Sequence, residues 1–116
     1  MTSPRLNLIV IRSSDPARTV AFYKALGLSF QEEQHGKGPI HWAAEFDSLV
    51  MEIYPAKSSD DVDGSTRLGF RVADVESILA TLRDHEFEVM SDLKQTKWGL
   101  RAVVQDPEGR SVELVQ

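Results

Sequence analysis

Short β-branched runs and helical apolar stripes alternate along this chain, and their order occurs twice. Leu6 to Ile11 (LNLIVI) is apolar and β-branched, which predicts a strand. Asp15-Pro16 follows, an acceptor for free N–H groups and then a residue suited to the first helical position. Phe22, Tyr23 and Leu26, with Val20, form the stripe of a helix that Gly27 ends. Leu28 to Glu33 reads as a strand, residues 35–39 (HGKGP) as a turn, and Ile40 to Phe46 with Leu49 to Tyr54 as a hairpin.

The polar stretch 55–64 (PAKSSDDVDG) reads as a loop. Beyond it, Arg67 to Val72 predicts a strand. Asp74 caps a second helix with Val75, Ile78, Leu79 and Leu82 inward. Phe87 to Met90 is a strand, and Leu100 to Gln105 with Ser111 to Val115 make a closing hairpin over Asp106-Pro107-Glu108-Gly109. Arg12 and Arg71 lie 59 positions apart, as do Asp15 and Asp74, while Glu52 and Glu113 lie 61 apart. This spacing predicts a duplicated α+β domain over 1–116, with half one at about 5–54, a linker at 55–64 and half two at about 65–116.

Composition removes several kinds of function. Charged residues make up 27% and hydrophobic residues 41%, enough apolar material for one core. The net charge of -5 comes without a basic stripe, so neither nucleic acid nor an anionic membrane is an expected partner. No apolar run reaches the ~20 residues of a membrane span, and no secretory leader is visible, so the expected location is cytoplasmic. The chain has no cysteine, which excludes disulfides, thiolate metal sites and a cysteine nucleophile. Phosphate-binding, dinucleotide-binding and nucleophile-elbow motifs are missing.

Two strings carry a family resemblance. Asp15-Pro16, then Phe22-Tyr23 and Leu26-Gly27-Leu28, looks like a D-x(6)-FY-x-x-LGL signature. Trp98-Gly99-x-Arg101, then Asp106-Pro107-Glu108-Gly109 and Glu113-Leu114, looks like a WG-x-R…DP-x-G…EL ending. Together they resemble the vicinal-oxygen-chelate proteins, the glyoxalase / bleomycin-resistance / extradiol-dioxygenase superfamily. The resemblance implies two βαβββ modules with curved mixed sheets around a cleft and helices on the convex side. It also implies a homodimer, with the cleft formed within one chain or across two.

Metal-dependent members place a ligand, commonly His, seven residues before each helix-start aspartate, and Glu on each module's last strand. Those positions are Leu8, Arg67, Glu52 and Glu113 here. Two carboxylates without imidazole suit zinc or ferrous iron poorly. The expectation is therefore no cofactor and no metal ligand, although a weakly held, oxygen-ligated Mg2+ or Mn2+ is compatible with the two carboxylates. Of the histidines, His35 falls in a turn, His85 near a helix end, and His41 on a strand whose register leaves its side open.

Alternation then sorts the strand residues. Met51, Ile53, Leu68, Phe70, Val112 and Leu114 point to the core. Glu52, Tyr54, Arg67, Arg71 and Glu113 point into the cleft with Leu8, Val10 and Arg12. Arg67 is expected between Glu52 and Glu113, as a cation standing where a metal would. Repeat analogy puts Trp42 beside Glu52, with Tyr54 and Trp98 framing the same space and Arg101 and His41 further candidates for binding. Three functions stay open. The first is a metal-independent module that sequesters a small cationic or aromatic molecule, as the bleomycin-resistance proteins do. The second is a lyase, isomerase or dioxygenase-type enzyme using Glu52 or Glu113 as general base. The third is a structural or regulatory dimer.

Overall fold

The computed structural model describes residues 2–116. The two expected helices form where their caps place them. Helix α1 spans Pro16–Ala25, with the Asp15 carboxylate accepting from the Arg18 N–H. Helix α2 spans Val75–Asp84, with Asp74 accepting from the Ser77 N–H. Each cap satisfies an N–H group that the helix itself cannot.

The strands are β1 (Leu8–Ser13), β2 (Gln31–Glu33), β3 (His41–Phe46), β4 (Leu49–Pro55), β5 (Leu68–Arg71), β6 (Glu88–Thr96), β7 (Gly99–Gln105) and β8 (Ser111–Val115). They form two four-stranded sheets of matching order, β1-β4-β3-β2 and β5-β8-β7-β6. In each sheet the first strand pairs parallel to the last, and the remaining pairings are antiparallel. This is the duplicated βαβββ, α+β architecture that the spacing predicted.

Three strands differ from expectation by more than one residue at an end. β1 begins at Leu8, because the Val50 N–H takes the carbonyl of Asn7 and parallel pairing with β4 starts there. β2 is confined to three residues. β6 runs on to Thr96, beyond the expected end at Met90. Its polar second half lies on a sheet edge and buries little, so apolar alternation does not reveal it. The register shifts between Val89, Ser91 and Lys94 mark bulges, a common way to blunt such an edge.

One apolar core joins the halves. Ile11, Phe22, Met51 and Ile53 contribute from the first, and Val75, Leu82, Val104, Val112 and Leu114 from the second. A buried polar seam crosses it. The Tyr23 hydroxyl donates to Asp106 Oδ2 at 2.7 Å, and Arg110 reaches the same oxygen at 3.1 Å. The other Arg110 terminal nitrogen donates to the Arg12 carbonyl at 2.7 Å. The Ser13 hydroxyl and the Ser14 backbone N–H hold Glu108. The family-like aspartate and tyrosine thus join the two modules. Burial, then the Asp106 carboxylate beside it, pushes the Tyr23 phenol far above the usual tyrosine range.

Candidate functional site

Register decides which side chains leave the core. On the first sheet Val10 lies opposite Glu52, Arg12 opposite Tyr54, Ala43 opposite Glu52, and Glu33 opposite His41. Glu33, His41, Glu52 and Tyr54 therefore share one face with Arg12, Val10 and Leu8. On the second sheet Gly69 and Val103 flank Glu113, and Arg71 and Arg101 flank Val115. Val115 lies two residues from Glu113, so Arg71 and Arg101 share the Glu113 face. The alternation expected for β4, β5 and β8 is realised.

The second face carries a cavity of about 380 Å3 lined by Arg71, Trp98, Arg101, Glu113 and Val115. The Arg101 guanidinium and the Glu113 carboxylate form an ion pair across its floor. Trp98 stands at the β6–β7 turn, 66% exposed, with the Lys97 ammonium 4.6 Å from its ring centre. The turn requires glycine after it. Gly99 has φ +120°, and a Cβ there would collide with the Gln116 carbonyl oxygen. The Trp-Gly-x-Arg string thus supplies, in order, an aromatic plate, the turn and the partner of Glu113.

The first face gathers polar groups differently. His41 is 1% exposed and its ring stacks on Tyr54 at 4.2 Å between centres. Its Nε2 lies 3.3 Å from Glu33 Oε1 and 3.5 Å from Glu52 Oε2. His35 Nε2 lies 3.6 Å from the same Glu33 oxygen. The Arg12 guanidinium sits over the Tyr54 ring, 5.0 Å from its centre.

Several expectations need correction. Trp42 lies opposite Ile53, not beside Glu52, so it packs half-buried against the core. A one-residue difference in register reverses every side chain of a strand. Arg67 is exposed, precedes β5, and makes no ion pair or hydrogen bond among the described residues. It does not bridge the two carboxylates, nor do these meet. Glu113 pairs with Arg101 on one sheet, and Glu52 faces His41 on the other. His41, left open by the sequence, lies on the first face, and Glu33 and His35 gather there with it and Glu52, unforeseen. Their signal was the hairpin register, which places Glu33 across from His41.

The superfamily model of the glyoxalase / bleomycin resistance protein / dioxygenase proteins matches residues 5–114. The chain belongs to this superfamily. Within it, the fold is similar to TnmS3, an antibiotic binding protein from Streptomyces sp. CB03234, with TM-score 0.75 and 24% identity over 100% of this chain and 98% of that one. It is also similar to the oxidase ChaP-H2, with TM-score 0.78 and 17% identity over 99% and 95% of the two chains. TioX from Micromonospora sp. ML1 aligns with TM-score 0.72 and 18% identity over 96% and 97%. No curated protein sequence matches the chain significantly.

The superfamily's usual metal positions do not fit a metal here. Leu8 offers no donor and is 48% exposed, Arg67 is a cation, and Glu52 and Glu113 face separate partners. Among the described residues, no helix is long and apolar enough to cross a membrane.

Proposed function

We propose that the protein binds a small planar organic molecule and holds it without transforming it, and that this binding needs no metal shared by Glu52 and Glu113. The observation that carries this reading is the exposed Trp98 beside the cavity floored by Arg101 and Glu113. An exposed indole offers a flat face for stacking. Arg71 is exposed and has no ion partner among the described residues, so an acceptor group on the ligand has a cation to meet. An aromatic ligand with an oxygen substituent fits this wall better than a bare cation. The antibiotic-binding role of the TnmS3 fold neighbour agrees with this reading.

The site is completed, in this reading, by a homodimer in which the Trp98 face of one protomer closes on the Tyr54 face of its partner. The protein then works in the cytoplasm as a sequestering agent. The test is a fluorescence titration with planar aromatic compounds. Binding quenches Trp98, and Trp98→Ala abolishes it while Trp42 emission still reports the folded core. Absence of micromolar binding across such a panel overturns the reading.

A catalytic reading has one specific support. Glu52 lies 3.5 Å from His41 Nε2, an arrangement suited to moving a proton. Glu113 is already engaged by Arg101. Chemical conversion of the bound compound, lost in Glu52→Gln, would replace the sequestering reading with this one.

A further inference from the structure

The group on the first face has a geometry that the aromatic-binding reading does not use. Glu33, His35, His41 and Glu52 each bring one nitrogen or oxygen to within 4.8 Å of the others. They come from four neighbouring pieces of backbone: the end of β2, the turn after it, the start of β3, and the middle of β4. Zinc-type ions bind nitrogen and oxygen at about 2.0–2.2 Å, so the edges of a tetrahedral ligand set are about 3.3–3.6 Å. The separations His41–Glu33, His41–Glu52 and His35–Glu33 are 3.3, 3.5 and 3.6 Å.

The orientation of His41 points the same way. Its Nδ1 lies 3.2 Å from the Pro39 carbonyl oxygen. A carbonyl only accepts, so Nδ1 carries the hydrogen and Nε2 is turned toward the two carboxylates. The Tyr54 hydroxyl lies 3.5 Å from Nε2, and the two carboxylates lie 3.3 and 3.5 Å from it, so a cation among these oxygens is placed to take the Nε2 lone pair. Metal-bound imidazoles commonly donate their other N–H to a carbonyl in this way. Burial and the stack on Tyr54 fix the ring plane. Among the described residues, no lysine or arginine forms an ion pair with Glu33 or Glu52.

We infer that Glu33, His35, His41 and Glu52 form a binding site for one divalent transition metal of the zinc type. Two imidazoles and two carboxylates suit zinc, and cobalt as its spectroscopic substitute, better than magnesium or calcium. His35, whose side chain is 73% exposed, forms the mouth through which the ion enters. This inference does not rest on the aromatic-ligand reading: its four ligands lie on the first sheet and the turn beside it, whereas Arg71, Trp98 and Arg101 belong to the second.

The test uses full-length protein stripped with a chelator and titrated with Co2+, then Zn2+, with no organic compound present. The expected result is one Co2+ per chain, with the visible absorption of a tetrahedral ion, displaced by one equivalent of Zn2+. His35→Ala and Glu33→Gln, both on accessible side chains and checked for folding by circular dichroism, each weaken binding tenfold or more. His85→Ala, outside the cluster, leaves it unchanged. The inference is overturned by absence of binding below millimolar metal, or by affinity that His35→Ala and Glu33→Gln leave intact. It is equally overturned if nitrogen NMR with saturating Zn2+ finds His41 Nε2 carrying a proton.

Discussion

Tyr23 and Asp106 show how single residues hold the two modules together. Sequence alone presents Tyr23 as one more apolar position on α1, yet its hydroxyl donates to a carboxylate 83 positions away. Tyr23→Phe keeps the ring and leaves a buried, charged acceptor with one fewer donor. A loss of about 1–3 kcal/mol in urea unfolding is expected. Glu108 gives a pH-dependent counterpart. Burial raises its carboxyl, but hydrogen bonds from Ser14 and Ser13 outweigh this and hold it below the ordinary value of 4.5. A folded-state value depressed in this way stabilises the protein fully above about pH 4.5, and the gain is lost as pH falls through the depressed value. Wild type should therefore exceed Glu108→Gln in stability at pH 7, with the gap closing in acid. A gap that stays constant from pH 7 to pH 3 would remove the Ser13–Ser14–Glu108 contact from this account.

At the scale of elements, the caps and the core alternation were legible because they are local. Asp15 and Asp74 each meet an N–H three residues on. Their replacement by Ala should cost about 1 kcal/mol apiece, measured as separate shifts in the denaturation midpoint. The two losses should add, because the caps belong to different helices and share no bond. Strand β6 was half legible, since its edge residues need no apolar periodicity. Trp42 was misread for a sharper reason. Repeat analogy transfers the order of strands but not the register within a hairpin, and register alone decides which face a residue takes. The same limit hid the first-face cluster. Glu33 and His41 are separated by a turn of flexible composition, and only the observed pairing places them side by side. Arg67 failed as a bridge because β5 starts one residue after it, leaving its side chain outside the ladder.

At the scale of the whole molecule, the chain is too open for its size. A 13.0 kDa monomer is expected to expose about 6,300 Å2, whereas this one exposes 7472 Å2. Its radius of gyration is 14.8 Å against about 13.4 Å for a compact chain of this length. The extents of 47 × 44 × 24 Å describe a plate, not a sphere. Leu8 and Val10 lie exposed on the site face of β1, and β1 is itself an edge strand. Apolar side chains on an unpaired edge favour association with a second copy, and two-fold symmetry lets one contact serve both chains. The excess area is of the order that each partner loses in a standard interface. Sedimentation at micromolar concentration should therefore give twice the chain mass of 13.0 kDa. A Val10→Lys change, which places a charge on that face, should shift the population to monomer while leaving the helical circular dichroism in place. Because the proposed cleft combines the Trp98 face of one protomer with the Tyr54 face of the other, the same change should weaken aromatic binding in proportion to the loss of dimer. Full-strength binding by a monomeric Val10→Lys protein would show instead that one sheet suffices.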